Sequence, residues 1–555
     1  MSRLSLATCQ QTGTALPSYL AGTISGGAPV THPAGIGLVH LGPGAFFRGH
    51  QAWYTHQAMQ LAGGDWRICA VSLRSSDVFE ALAPQDGLYT LATMEQQTDY
   101  ELIGAIAEVL VAPKHYEQVL ARMTAPTTHI ISMTITEKGY CLTAAGVLDR
   151  TLPSIVADVA ALRQALSQGD IASARCVSAP GLLLQAVWLR LNAGTKLPVL
   201  LSCDNLTDNG HKLKAAIRAL AAEVLAIAGS VAAGADLAGV TYSANTPASR
   251  KALEAALSQL ICPCSMVDSI TPATDDALRD AVKAATGLAD AWPIKREAFV
   301  QWVIEDVIPE PKPAWAQAGV TFTNDVAAFE KAKLRLLNAP HSTMAYLGCL
   351  LGVDTVLAAM QHPLLCRVAS DLVQQELLPF IAPIQGMDLR AYSAAIFQRF
   401  LNPSVRHLLA QIAWDGSQKL PMRLLPALAE HSAAGRRAPL LCLAVASWLQ
   451  FIRLRASQQP AVPFVDPLAG ELLTIAAQCN GDAAHDLELW LNHPVLAANL
   501  PLDKAPLDNS LLNNSLRDNS ELAQQLSAAY QCVSSVSQGI PALEAALTAY
   551  LQHAG

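Results

Sequence analysis

The segment Gly35-Ile36-Gly37-Leu38-Val39-His40-Leu41, followed at once by Gly42-Pro43-Gly44, constrains this chain more than any other stretch. The run up to Leu41 is short, apolar and bounded by glycines, and it reads as a buried strand. Gly42 and Gly44 permit a tight turn and a close approach of the backbone to a ligand, and residues 50–62 then read as a helix. Strand, Gly-x-Gly turn and helix, in that order, open a dinucleotide-binding βαβ unit whose turn presents backbone N–H groups to a pyrophosphate. The expected cofactor contacts here are His40, Gly42, Gly44, Ala45, Phe46 and Arg48. Phe47 occupies the place of the third glycine of the usual Gly-x-Gly-x-x-Gly pattern.

The alternation continues. A second strand over 67–73 runs into Arg74-Ser75-Ser76-Asp77, with no carboxylate at its end to hold a ribose 2′-hydroxyl. Further strands are predicted at 87–92, 129–136 and 197–202, separated by helices at 116–123, 154–166 and 181–191. Alternating strands and helices imply a doubly wound, Rossmann-like parallel sheet covered on both faces. Two predicted strands end in polar clusters, Thr136-Glu137-Lys138-Gly139-Tyr140 and Ser202-Cys203-Asp204-Asn205-Leu206-Thr207-Asp208-Asn209-Gly210. Ligands of such sheets bind outside the carboxyl ends of the strands, so Arg74, Asp77, Glu137 and Lys138 join the cofactor set, and Asn205 faces its reactive end. Asp208 and Asn209 read as turn and capping residues.

Residues 1–34 read as a lead-in arm and 35–295 as the dinucleotide-binding domain, with the boundary just upstream of the proline-rich stretch 307–315. From 296 to 555 the pattern is mostly helical, with helices expected at 345–360, 363–378, 389–401, 405–414, 441–454 and 470–479. An Asn/Ser-rich loop is expected at 499–520.

The second constraining stretch is 329–342, Phe-Glu-Lys-Ala-Lys-Leu-Arg-Leu-Leu-Asn-Ala-Pro-His-Ser. Its apolar residues fit a buried helix starting near Asn324-Asp325. Pro340 lacks an N–H and clashes with the carbonyl of Leu336, so a straight helix is not expected to pass it. Lys333, Asn338 and His341 then meet at a helix junction.

The rest of the composition narrows the class. The chain has 555 residues, 52% hydrophobic and 15% charged, with a formal net charge of −8. That acidic balance, with no Lys/Arg cluster, argues against nucleic acid and anionic membrane partners. Uncharged apolar runs such as 224–235 and 342–353 are too short to span a bilayer, and the first residues have no secretory apolar core, so a cytoplasmic protein is expected. The twelve cysteines stand singly apart from Cys262-Pro-Cys264, and no Cys/His set has zinc spacing. No metal is therefore expected.

With these pieces placed, the chain resembles the polyol-specific long-chain dehydrogenases, the mannitol dehydrogenase and fructuronate reductase family, from about Gly35 to about Tyr550. The segments that carry the resemblance are HLGPGAFFRGHQAWYTHQ (40–57), SMTITEKGYC (132–141), LSCDNLTDNGH (201–211), FVQWVIED (299–306), KLRLLNAPHS (333–342) and DGSQKLPMRLL (415–425). The resemblance implies a zinc-independent, nicotinamide-dependent oxidoreductase of sugar-derived ketones and alcohols. It implies Lys333 as general acid/base, its pKa lowered by burial, with Asn338 and Asn205 on the reacting oxygen. His341 would orient the substrate and Glu330 relay protons. Arg406 and Lys419 are the candidate substrate contacts. Glu137-Lys138-Gly139-Tyr140 and Gln418-Lys419-Leu420-Pro421 are most similar to fructuronate reductases, with mannitol 2-dehydrogenases as the alternative; NAD is the expected cofactor and NADP the second choice. A monomer or small homo-oligomer acting on a small sugar acid or polyol is expected. Three positions depart from the pattern: Phe47 in place of histidine, Ala339-Pro340 in place of a small flexible pair, and Ser269 where the uronate-reducing enzymes carry arginine. A nucleotide-binding sensor without turnover is the competing class, and the retained Lys333, Asn338 and His341 weigh against it.

Overall fold

A computed structural model describes residues 2–21, 34–95, 97–143, 145–226, 247–403, 406–457, 464–500 and 521–553. The chain forms two compact units, Met1–Ala327 and Ala328–Gly555.

The first unit is built on a five-stranded sheet of order β5-β2-β1-β6-β7, with β1 Ile36–Leu41, β2 Arg67–Ser72, β5 Ile106–Val111, β6 Ile130–Met133 and β7 Val199–Ser202. Every pairing in it is parallel. Alternate side chains of β1 serve opposite cores, as the two-residue period requires. Val39 and Leu41 pack with Cys69 and Val71 and with apolar residues of the helices Tyr116–Thr124, Pro153–Ser167, Ala179–Asn192 and Asn209–Ala226. Leu38 packs on the other face with Ile68, Ala70, Phe47, Tyr54, Trp302 and Trp315. The doubly wound α/β architecture expected from the strand and helix pattern is present.

Three details differ from expectation. The strand read at 87–92 lies outside the parallel sheet: β3 Tyr89–Met94 pairs antiparallel with β4 Thr98–Ile103 and parallel with β9 Ile294–Glu297. The sheet edge is instead β5, a short strand with a mixed burial pattern. Residues past 295 also stay in this unit, because β10 Gln301–Glu305 pairs with β8 Ser265–Asp268 and with β11 Thr321–Thr323. The unit boundary therefore falls at Ala327/Ala328, downstream of 295. Finally, part of the expected arm is packed. A capping box of Ser5 and Thr8 starts the helix Leu6–Thr12, and Leu4 and Cys9 are buried with Leu88 and Leu288.

The second unit is helical. The helix Pro439–Ser457 packs against Ala339–Leu350 and Glu521–Ser534, and its residues from Pro439 to Ile452 are buried. It is the one helix among the described residues long and apolar enough to cross a membrane, but 72% of its apolar window is buried inside the protein. The sequence estimate of apolar run length was too short here. The start of this helix is capped by Glu376, whose carboxylate accepts from the N–H groups of Leu440 and Leu441 at 2.8 Å each. Of the helix expected at 405–414, Leu409–Ile412 is helical; Val405 lies outside the described residues, as does most of the loop, 501–520.

Pro340 does not break its helix. The path runs from Val326–Lys333 through a π-helical turn, Leu334–Asn338, into Ala339–Leu350. The wider turn takes up the missing hydrogen bond, and Pro340 sits in the first turn of the next α-segment, where no donor is needed.

Candidate active site

Leu41 is in register with Val71 and with Met133, and Met133 with Ser202, so β1, β2, β6 and β7 end at one edge. The Gly-x-Gly turn sits on that edge. Gly42 has φ 88°, and a Cβ there would lie 2.3 Å from the carbonyl oxygen of Thr134. Glycine is therefore required twice over, by conformation and by space. Gly44 is exposed, starts the short helix Ala45–Gly49 without a side-chain cap, and among the described residues has only the Gly42 oxygen within 4 Å of a built Cβ. Ala45 and Phe46 follow, half-buried. An open turn of this kind fits a pyrophosphate.

Two of the expected cofactor contacts are elsewhere. His40 is fully buried beneath the turn, with Nδ1 2.9 Å from Ser132 Oγ, Nε2 3.0 Å from Thr134 Oγ1, and its ring stacked on Phe47 at 3.6 Å. Burial holds its pKa down at about 3, so it is a neutral core group that shapes the turn. The substitution of Phe47 for the third glycine thus supplies a stacking partner. Arg48 is also buried; its Nη1 donates to the Trp292 carbonyl at 2.7 Å and its guanidinium lies over the Trp292 ring at 4.9 Å. It ties the turn to the body of the unit rather than meeting a ligand.

At the end of β2, Arg74 and Asp77 are both exposed, Asp77 in the first turn of the helix Asp77–Leu82. Glu137 and Lys138 are exposed on a 3₁₀ turn after β6, and Asn205 is exposed just past β7. Sequence reasoning missed what holds these last three in place. Asp204 accepts from the N–H groups of Ile135 (3.2 Å) and Thr136 (2.7 Å) and from the Tyr140 hydroxyl (2.8 Å), which also meets Ser202 Oγ. This buried carboxylate fastens the Glu137–Lys138 turn to the root of the Asn205 loop. Burial raises its pKa against the hydrogen bonds that lower it. The signal was the lone acidic residue inside Ser202-Cys203-Asp204-Asn205.

In the second unit, Lys333 is 7% exposed at the end of its helix, the π-turn follows, and Asn338 is half-buried where the next helix begins. Glu330 is half-buried one turn before Lys333. Lys331 and Arg335 diverge from them and pair with Glu430 at 3.1 and 3.0 Å. His341 stacks on Phe400 at 5.4 Å and lies 5.9 Å from the His407 ring. Its Nε2 is buried with no hydrogen-bond partner among the described residues. Burial, then the charges of His407, Arg423, Arg399 and Lys419, hold its pKa well below the usual value, so the ring is neutral.

The cluster of Arg399, Lys419 and Arg423 is the second feature, and the sequence exposed only Lys419 of it, because Arg399 comes from the helix Leu389–Phe400 while Lys419 and Arg423 share the helix Gly416–Arg423. Arg423 is half-buried, donates from Nη1 to Ser342 Oγ at 3.0 Å, and keeps a buried Nε without a partner among the described residues. Lys419, an expected substrate contact, has its ammonium committed to the carbonyls of Ile412 (3.1 Å) and Trp414 (2.5 Å); burial lowers its pKa to about 8. Its contribution to a ligand is charge rather than a free donor. Arg406 is exposed.

A parallel nucleotide-binding sheet with an open Gly-x-Gly turn, joined to a helical unit that buries a lysine beside a π-turn, defines an oxidoreductase of Rossmann type. The mannitol dehydrogenase Rossmann domain matches residues 36–317 and the mannitol dehydrogenase C-terminal domain matches 325–534. The chain belongs to the mannitol dehydrogenase family. It is 37% identical over 450 residues to the D-mannonate oxidoreductase of Escherichia coli K12, covering 80% of this chain and 85% of that one. It is 35% identical over 419 residues to the mannitol 2-dehydrogenase of Cereibacter sphaeroides, covering 75% and 80%. Among solved structures it superposes on the ternary complex of Pseudomonas fluorescens mannitol 2-dehydrogenase with NAD and D-mannitol at a TM-score of 0.73, with 28% identity and 99% of both chains covered. A substrate-free D-sorbitol dehydrogenase aligns with a TM-score of 0.74 and 26% identity, over 92% of this chain and 95% of that one.

Proposed function

We propose that this protein is a cytoplasmic, NAD-dependent, metal-independent fructuronate reductase that interconverts D-fructuronate and D-mannonate. The observation that carries the substrate assignment is the group of cationic side chains around His341: Arg423, Arg399 and Lys419. A uronate carboxylate gains from that field, and a neutral hexitol does not. The likeness to a D-mannonate oxidoreductase agrees with it.

The nicotinamide, when bound, supplies or accepts the hydride. Gly42, Gly44, Ala45 and Phe46 would hold its pyrophosphate, and Arg74 and Asp77 would meet its adenosine ribose. Lys333 donates a proton to the carbonyl oxygen in reduction and withdraws it in oxidation. It is 7% exposed, at the end of the helix that leads into the π-turn. The Asn338 amide, on the last residue of the π-turn, is a neutral donor for the developing alkoxide, and exposed Asn205 supplies another amide on the first unit. Neutral His341 offers Nε2 to a substrate hydroxyl. Glu330, three residues before Lys333 and so on the same helical face, passes the proton on.

Ser269 favours a second reading, a mannitol 2-dehydrogenase. Its hydroxyl donates to the Phe299 carbonyl at 3.1 Å, and no cation stands at that position. A panel of D-fructuronate, D-fructose, D-mannonate, D-mannitol and D-sorbitol, followed by nicotinamide absorbance, separates the two. The fructuronate/mannonate pair should have the highest kcat/KM; a preference for fructose and mannitol would overturn the assignment.

A further inference from the structure

We propose that Asp208, His211 and Cys264 form a binding site for a borderline-soft divalent cation of the Zn²⁺ or Co²⁺ kind, independent of the hydride chemistry. Their donor atoms, a carboxylate oxygen, an imidazole nitrogen and the thiol sulfur, all lie within 4.8 Å of one another, with His211 Nδ1 3.9 Å from Asp208 Oδ1. No sequence spacing shows this, because Cys264 belongs to a different element. Asp208 and His211 flank the start of the helix Asn209–Ala226, while Cys264 immediately precedes β8.

The frame that brings them together is rigid. Asn209 is fully buried; its Nδ2 donates to the carbonyls of Asp204 (3.0 Å) and Ser265 (2.8 Å), and its Oδ1 accepts from the Ser265 N–H (2.9 Å). A Cβ on Gly210 would come within 2.4 Å of the Cys262 carbonyl oxygen, so the helix start is pressed directly onto the segment carrying Cys264. Asp208 itself adopts φ 54°, an uncommon conformation for a residue with a side chain, tolerated by Asp. Preorganised donors bind with little ordering cost.

The donor set selects the ion. One thiolate and one imidazole favour Zn²⁺ or Co²⁺ over Mg²⁺ or Ca²⁺, which prefer all-oxygen shells. Cys264 is 7% exposed, whereas the Asp208 and His211 side chains are 59% and 68% exposed, so the three ligands leave a solvent-facing position for water. Binding displaces the Cys264 thiol proton. Glu305 receives the Cys264 N–H at 3.0 Å and so sets the orientation of that residue. The ion would clamp the helix start to the β8 start and steady the loop that begins at Asn205.

Co²⁺ titration of the full-length protein, freed of metal beforehand, tests this. The expected result is saturation near one equivalent per chain, with a thiolate-to-cobalt charge-transfer band and a raised Tm. Cys264→Ala should abolish the band, and His211→Ala, at an exposed position that leaves the fold intact, should weaken binding at least tenfold. Turnover of the metal-free protein should match that of the loaded one. No charge-transfer band in the wild type, or a band of unchanged affinity in His211→Ala, would overturn the proposal.

Discussion

At the scale of single residues, the proposed preference for NAD over NADP rests on the end of β2. Arg74, Ser75 and Ser76 alone would suit a 2′-phosphate. Asp77, exposed in the first helical turn only three residues on, brings a carboxylate that repels one and can accept a ribose hydroxyl. Binding titrations should therefore find NADH tighter than NADPH in the unmodified protein. Asp77→Ala should narrow the difference, and Arg74→Ala should weaken whatever NADPH binding there is; tighter NADPH binding in the wild type would assign the cofactor the other way. Individual residues were also where sequence reading misjudged roles. His40 and Arg48 adjoin the glycine turn in sequence, yet burial takes both away from any ligand. Adjacency along a strand says nothing about which face a side chain takes until the neighbouring strands are known. Asp204 is the converse case, a carboxylate whose importance lies in the three donors that the fold gathers on it.

At the scale of elements, hydrophobic alternation was sufficient to locate β1, β2, β6, β7 and most helices, since each is long or strongly apolar. It misplaced β3, because a buried strand reads the same whether its partners are parallel or antiparallel. It also predicted a break at Pro340 where a π-turn absorbs the ring. On the proposed mechanism that turn bears on function. It sits between Lys333 and the pair Asn338 and His341, and one residue of a helix rotates the face by about 100°. Inserting one alanine after Leu334, which is half-buried, adds a residue between Lys333 and the pair Asn338 and His341 and should swing His341 away from the face it shares with Lys333. Turnover should fall by about 10²-fold or more while far-UV circular dichroism keeps its helical signature. Turnover within a few-fold of wild type would show that the π-turn is incidental.

At the scale of the whole molecule, two compact units divide at Ala327/Ala328, and the cut falls inside the Val326–Lys333 helix that leads to Lys333. Local patterns placed the boundary at 295 because they cannot register strand pairings made across the chain. The second unit also carries a titratable device in its core. Glu376 is 4% exposed, and burial lifts its pKa from 4.5 to about 7 despite the two N–H groups that favour its ionised form. The unfolded chain releases that proton near the ordinary value, so the stability Glu376 contributes is fully present below pH 4.5 and is lost as pH rises through about 7. The total change is on the order of 3 kcal/mol. Denaturant unfolding from pH 4.5 to 7 should show this decline, and Glu376→Gln should flatten it; an unchanged pH dependence in Glu376→Gln would place the titration elsewhere.

The account rests on Lys333 as the group that moves the proton. Its most direct test is NADH oxidation by D-fructuronate with wild type and Lys333→Ala, paired with NADH titration of both. The expected result is a kcat lower by roughly 10²–10⁴-fold in the variant, with nearly equal NADH affinity. A variant that turns over within a few-fold of wild type would contradict the mechanism.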